Sequence, residues 1–180
     1  MISTAWFEVS VVAVAGVATG VGVIMPAIGQ AHAAARAIEA IARQPDEADT
    51  ISRNLYVGLA MIESLALYVL IVALVLLFAN PLKSDVDRAR AQGDPAFWFL
   101  TVSSVVAMVA ITVGTALAAI GQGRVTGAAL TAIAEQPEAR NQISTALFIS
   151  LALLESLALY SLIVSLILLF ANPLTGDVLP

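Results

Sequence analysis

Four long and nearly uncharged apolar stretches restrict the fold of this chain more than any other feature. They are Val9–Gln30, Asn54–Leu82 (interrupted by Glu63), Pro95–Gly123 and Asn141–Gly176 (interrupted by Glu155). Each exceeds the ~20 residues that a helix needs to cross ~30 Å of hydrocarbon. None shows the strict alternation of a barrel strand, and open strands cannot satisfy their backbone in lipid. The sequence therefore predicts an all-α membrane protein with four transmembrane helices.

Composition agrees with this prediction and excludes other classes. Hydrophobic residues make up 60% of the chain and charged residues only 12%, whereas globular chains are about a quarter charged. The net charge of −5 is spread through the loops, which leaves no basic face for nucleic acid. The chain has no cysteine, so no disulfide framework is expected. The N-terminus lacks a basic region, so the first apolar stretch is expected to be retained as a helix.

The second half of the chain repeats the first half at a shift of 92 residues. Gln30 aligns with Gln122 and Glu63 with Glu155, and more than half of the positions from Gln30 to Leu82 are identical in the two copies. Each copy contains two of the apolar stretches. The sequence therefore predicts two tandem antiparallel helical hairpins that share one orientation across the membrane.

Proline-containing turns set the predicted boundaries. Gln44-Pro45 and Asn80-Pro81 are expected to end helices, because proline lacks a backbone donor and disfavours helix in the preceding residue. The first hairpin is 1–82, with helices at about 5–43 and 50–79; a polar linker is 83–94; the second hairpin is 95–180, with helices at about 96–135 and 142–171.

Each hairpin places one glutamate, Glu63 or Glu155, in the middle of its second apolar stretch. A charge at mid-membrane costs at least ~2.5 kcal/mol, so such a residue is a functional candidate by default. The midpoint between Gln30 and Glu63 falls beside Pro45, which puts the two side chains at one depth on neighbouring helices. The same arithmetic sets Gln122 opposite Glu155. We expect each glutamate to bind and release an ion.

Hard oxygen ligands surround these glutamates in the sequence. The candidate ion-binding residues are Gln30, Glu63, Ser64, Tyr68, Gln122, Glu155, Ser156 and Tyr160, with the backbone carbonyls of Met61 and Leu153 as further candidates. Carboxylate, amide and hydroxyl oxygens suit a small alkali cation, and a buried carboxylate can equally hold a proton. The expected ion is Na⁺ or H⁺, with no catalytic residue and no cofactor.

Two other features are set apart from this group. His32 aligns with Arg124 and is expected to be a polar lining residue rather than an ion ligand. Gly16 and Gly20 form a small face that lets helices approach closely. Close packing inside the hairpin and packing against neighbouring copies are both open at this point.

A known family carries these residues together. The chain resembles the c-subunit, the proteolipid of the rotor ring in F-type rotary ATP synthases, in the loop Ala42–Pro45, the preceding glutamine, the mid-helix glutamate and the closing Leu77–Pro81. The resemblance covers nearly all of both hairpins. Its glutamine, glutamate, serine and tyrosine resemble the sodium-binding members, including the N-type ATPases.

The resemblance implies a ring of identical copies among membrane lipids, which exchanges ions with the a-subunit of the membrane sector and does not itself catalyse. It also implies contact with central stalk subunits of the gamma and epsilon type. The loop residues concerned are Arg43, Gln44, Pro45, Gln136 and Pro137. The second loop has Glu135 in place of the arginine, which departs from the family pattern.

Several alternatives are open. The serine after each glutamate favours Na⁺, whereas Leu65 and Leu157 replace a threonine common in sodium-type members and favour H⁺. A duplicated proteolipid of the V type, or a small ion-coupled transporter with parallel repeats, is the alternative function. Basic residues favour tight loops in the cytoplasm, and the resemblance implies a bacterial inner membrane.

Overall fold

The computed structural model describes residues 3–93 and 96–175, and this part of the chain is helical apart from short loops. The helices are α1 (Ser3–Gly22), α2 (Ile24–Arg43), α3 (Ala48–Phe78), α4 (Lys83–Ala91), α5 (Ala96–Glu135) and α6 (Arg140–Phe170). By length and composition α3, α5, α6 and the combined α1–α2 can each cross a membrane. The predicted fold class, four transmembrane helices in two tandem hairpins, is confirmed.

Both hairpins turn through the same tight loop. Gln44 leaves the helical conformation at φ −135° and ψ 77°, and Gln136 does so at φ −134° and ψ 74°. A single 3₁₀ turn follows in each, Pro45–Glu47 and Pro137–Ala139. Proline fits the first position of such a turn because its missing N–H is not needed there. The matched loops give the two hairpins the same pairing of their helices.

The first span is divided at Val23, where the sequence predicts one helix. Pro26 cannot donate to the carbonyl four residues before it, yet Val23 N bonds Thr19 O at 3.2 Å and Ala27 N bonds Val23 O at 3.0 Å. The interruption is therefore local. The aligned residue of α5 is Ala118, and α5 runs unbroken from Ala96 to Glu135.

Helices α2 and α5 pack closely along one side of the molecule. A Cβ atom on Gly123 would lie 2.5 Å from Gly29 Cα, and one on Gly29 would lie 2.6 Å from Ala119 O. Helices α3 and α6 touch each other much less than α2 and α5 do, and α5 contacts α1, α2, α3 and α6. The first helices of the hairpins thus form a tight layer, and the glutamate-bearing second helices form a looser one.

The small face of α1 is not used inside the chain. Within residues 3–93 and 96–175, no atom outside the adjacent backbone of α1 lies within 4 Å of a Cβ built on Gly16 or Gly20, whereas Gly22 lies against Val69, with 2.9 Å from its Cβ position to Cγ1. Of the two packing alternatives for Gly16 and Gly20, close packing within the hairpin is therefore not observed.

The polar linker contains the short helix α4. Its Val86 and Ala89 are buried, and Lys83 at its start donates a hydrogen bond to Glu8 of α1 at 3.2 Å. This bond is the main cause that raises the pKa of Lys83 above its ordinary value, and Asp87 adds to it. The linker is thereby held against the first hairpin.

A second polar contact joins the hairpins at the tight loops. Arg140 donates to the carboxylate of Glu47, whose side chain is largely buried. The aligned residues are Ala139 for Glu47 and Ala48 for Arg140. The ion pair is therefore specific to the junction between the first and second hairpins of one chain.

Candidate ion-binding site

The side chains around Glu155 come from both hairpins. The Tyr68 hydroxyl donates to Glu155 Oε1 at 2.5 Å, and Ser64 Oγ lies 3.0 Å from the same oxygen. The Gln122 amide donates to Glu155 Oε2 at 2.9 Å. Ser64 and Tyr68 belong to α3 of the first hairpin, whereas Gln122 lies on α5. The site is therefore formed at the junction of the two hairpins.

Ser64 and Tyr68 contact the glutamate of the second hairpin, although the sequence places them beside Glu63. These two residues are four positions apart and share one face of α3. Glu63 is one position from Ser64, which places it about 100° around the helix. Glu63 consequently meets its own first helix, while Ser64 and Tyr68 meet the next hairpin.

Acceptor oxygens outnumber donated protons around Glu155. Ser64 Oγ lies 2.6 Å from the Met61 carbonyl and 3.0 Å from Glu155 Oε1, but a hydroxyl has one proton to donate. The Gln122 side chain is fully buried, and no donor in residues 3–93 and 96–175 reaches its amide oxygen. A cation, or a proton on the carboxyl group, is what such a cluster of oxygens can accept.

Glu63 has the glutamine contact that its own hairpin supplies, but within the described residues it has no hydroxyl contact from another hairpin. The Gln30 amide donates to Glu63 Oε2 at 2.9 Å and approaches Leu59 O at 3.4 Å. The predicted match in depth between Gln30 and Glu63 is confirmed. Glu63 is exposed, and within the described ranges no serine or tyrosine hydroxyl bonds to it.

The residues aligned with Ser64 and Tyr68 lie open on α6. Ser156 Oγ bonds only the Leu153 carbonyl, at 2.8 Å, and Tyr160 is 62% exposed. They form the edge of the second hairpin that faces away from the first. Within residues 3–93 and 96–175, Glu155 therefore has hydroxyl partners, Glu63 has none, and Ser156 and Tyr160 bond to neither of these glutamates.

The predicted stalk-contact residues lie at or beside the loop tips. Arg43 is exposed and lies 3.7 Å from the carboxylate of Glu39, and Pro45 is also exposed. Glu135 occupies the position of Arg43 in the second hairpin and is exposed as well. The contact of these loops with a stalk stays a prediction.

The sequence did not reveal that the hydroxyl groups and the carboxylate of the Glu155 site come from different hairpins. The available signal was the spacing on α3. Ser64 and Tyr68 are four residues apart and share one helix face, whereas Glu63 is one residue from Ser64 and faces another direction. Spacing alone gives the angle between side chains on one helix, but it does not give the helix that each side chain faces.

Comparison with known proteins agrees with this duplicated architecture. The model of the ATP synthase C-subunit family matches residues 13–76 and again residues 105–168. The chain is 60% identical over 67 residues to the second ATP synthase c-subunit of Cereibacter sphaeroides, which covers 37% of this chain and 81% of the relative. It is 56% identical over 72 residues to the ATP synthase c-subunit of Prochlorococcus marinus, covering 40% and 88%. The c-subunit of a Synechococcus sp. is 55% identical over 67 residues, covering 37% and 83%.

Proposed function

This chain belongs to the ATP synthase c-subunit family, and we propose that it is a double-hairpin ion carrier in the rotor ring of a rotary ATP synthase or ATPase. Members of this family are ion-translocating membrane subunits and do not catalyse by themselves. The single observation that carries the proposal is the group of oxygens around Glu155, built from two hairpins. In this proposal each chain carries two ions, one at Glu63 and one at Glu155.

Ring assembly completes the second site in this proposal. Glu63 lacks hydroxyl partners inside the described part of the chain, while Ser156 and Tyr160 are open at the opposite edge. A second copy docked edge to edge would bring its Ser156 and Tyr160 to Glu63, just as Ser64 and Tyr68 reach Glu155 within the chain. Because the hairpins are repeats, the junction between two copies would contain the same residue types as the junction inside one chain. Further copies can therefore add in the same way until the ring closes.

We infer that the carried ion is Na⁺. The buried amide oxygen of Gln122 has no donor in the described part of the chain. The Ser64 hydroxyl is a hard oxygen ligand beside Glu155, and the Met61 carbonyl, 2.6 Å from Ser64 Oγ, is a second candidate. Such ligands suit an alkali cation. A proton on Glu155 would satisfy one of these oxygens and leave the Gln122 oxygen without a partner.

Family membership supports the partners that we propose, and the basic residues of the loops support the orientation. The a-subunit loads and unloads the glutamates, and the exposed loops around Pro45 and Pro137 contact the central stalk. These loops face the cytoplasm of a bacterial inner membrane. A transporter built from two repeats with broken helices is disfavoured, since the break at Val23 has no counterpart in α5.

Carbodiimide labelling of Glu63 and Glu155, read by mass spectrometry across pH, tests the proposal. The reagent modifies a protonated carboxyl group, so it reports what occupies the site. Protection of the glutamates by added sodium at fixed pH is expected in the assembled ring. Labelling that follows pH and ignores sodium would make the chain a proton carrier, and absence of labelling at any pH would overturn the ion site.

A further inference from the structure

A groove runs along the side of the molecule where α1 and α2 meet α5. Its linker-side part has a volume of about 510 Å³ and is lined mainly by valine and alanine. The residues that matter here are Val14, Val17, Val21, Val105, Val109 and Val113. This surface is apolar and open, and no side chain of the described residues fills it.

The loop-side part of the same groove is cationic. A cavity of about 250 Å³ lies there, between His32 of α2 and Arg124 of α5, with Ile28 and Ile120 below them. Val113, Ile120 and Arg124 are seven and four residues apart, a spacing that keeps side chains on one helix face. Val21, Ile28 and His32 repeat this spacing on the other wall. The valine-lined groove and the cavity between His32 and Arg124 therefore lie along the same faces of these helices.

The charge on Arg124 is not neutralised by the described residues. No acidic group within residues 3–93 and 96–175 pairs with Arg124, and its side chain is exposed. Arg36, which packs beside His32 across Gly127, is already paired with Glu39 at 3.0 Å. Arg124 and His32 are thus the open polar groups of the cavity.

Arg124 lies unusually deep for a cation. Arg124 is two residues from Gln122, or about 3 Å along the helix, and Gln122 bonds the mid-membrane Glu155. For comparison, Arg53 of α3 lies ten residues, or about 15 Å along its helix, from Glu63. A cation within a membrane span is costly and pairs with an opposite charge. Arg124 therefore lies about 12 Å deeper in the membrane than Arg53 does, and an anion that pairs with Arg124 must bind at that depth.

We propose that the groove binds an anionic phospholipid, whose phosphate group lies between His32 and Arg124 and whose acyl chain follows the valine-lined surface. Guanidinium groups bind phosphate bidentately, and basic pockets between membrane helices bind anionic headgroups. Arg124 and Val113 are 11 residues apart, about 16 Å along the helix, which matches one leaflet of a ~30 Å hydrocarbon core. That the lipid lies inside the ring rests on the proposed function.

Native mass spectrometry of the purified protein with added phosphatidylglycerol or phosphatidylcholine tests the lipid site. The wild-type protein is expected to retain phosphatidylglycerol in preference to phosphatidylcholine. Arg124→Gln should weaken this retention about tenfold or more, as loss of a charge-assisted hydrogen bond implies. Arg53→Gln, which removes an exposed arginine from the outer surface, is the matched control and should retain the lipid.

The remaining outcomes decide between sources of the anion. Equal loss in both variants would reduce the effect to surface charge and overturn the proposal. Displacement of the lipid by excess inorganic phosphate would make this a free-anion site and overturn it too. Should Arg124→Gln fail to assemble, Val113→Phe fills the groove and leaves His32 and Arg124 in place; unchanged lipid retention in that variant would refute the acyl-chain position.

The lipid site and the rotor function can fail separately. Ring migration on gels and sodium protection of the glutamates are read from the same preparations. Intact rings with protected glutamates but no Arg124-dependent lipid would overturn the lipid site alone. Arg124-dependent lipid on a chain that forms no ring and shows no protection would retain the lipid site and overturn the rotor proposal.

Discussion

The Tyr68 hydroxyl lies at the shortest distance from Glu155, 2.5 Å from Oε1, and its removal is the sharpest test of a single residue. In Tyr68→Phe the carboxylate loses a hydrogen bond to its charged form, a contact worth about 1.5–3 kcal/mol. We expect about tenfold or more sodium to be needed for half-protection of Glu155 from carbodiimide. The measurement is made on single chains in detergent, where no neighbouring copy contributes.

Tyr160→Phe is the matched control, because the same hydroxyl is removed from the aligned position. Tyr160 is 62% exposed and contacts neither glutamate within the chain, so the single chain should show no change in sodium protection at Glu155. Equal effects of the two substitutions at Glu155 would mean that the composite site does not exist in solution.

At the scale of helices, the close approach of α2 and α5 depends on glycine. A Cβ atom on Gly123 would lie 2.5 Å from Gly29 Cα and 2.6 Å from Gly29 O, and these backbone atoms cannot rotate away. Gly123→Ala should therefore separate the helices and lower the free energy of unfolding by about 1–3 kcal/mol, as overpacking does elsewhere. Denaturant titration of the single chain in detergent, followed by circular dichroism, measures the change.

Gly16→Ala supplies the comparison, since in the part of the chain that the structure describes no atom outside the adjacent helix backbone lies within 4 Å of its Cβ position. Alanine has the higher helix propensity by about 1 kcal/mol, so this variant should unfold at the same or higher denaturant concentration in the single chain. If Gly123→Ala were as stable as Gly16→Ala, the tight layer formed by α2 and α5 would be refuted.

The sequence predicted depth along these helices better than rotation around them. Gln30 and Glu63 were correctly set opposite each other, because a tight turn fixes how far each residue lies from it. The contact of Tyr68 with Glu155 was missed, since it depends on how one hairpin packs against the other. The break at Val23 was missed because a proline inside an apolar helix is often accommodated in membranes.

At the scale of the whole molecule, the two junctions of a hairpin differ. The junction inside the chain has the complete Glu155 site, the ion pair of Glu47 with Arg140 and the covalent linker with α4. A junction between copies would have alanine at both positions of that ion pair and no linker. Under the proposed function, we therefore expect the Glu155 site to form without the ring and the Glu63 site to require it.

This difference predicts how sodium protection depends on assembly. In single chains sodium should protect Glu155 and leave Glu63 open to carbodiimide, whereas in the ring both should be protected. Replacing Ser156 by Ala together with Tyr160 by Phe should remove protection of Glu63 in the ring and spare Glu155. Mass spectrometry of the labelled peptides gives each occupancy separately.

The double variant Ser64→Ala with Tyr68→Phe is the reciprocal control, and it should expose Glu155 while Glu63 stays protected in the ring. Both double variants leave the glutamates and glutamines of the two sites intact. A general loss of folding would remove sodium protection at both Glu63 and Glu155, which distinguishes it from the loss of one site. Sodium protection of Glu63 in the single chain would contradict the shared site. Its hydroxyl ligands would then have to come from within one chain, and the open edge formed by Ser156 and Tyr160 would have no part in ion binding.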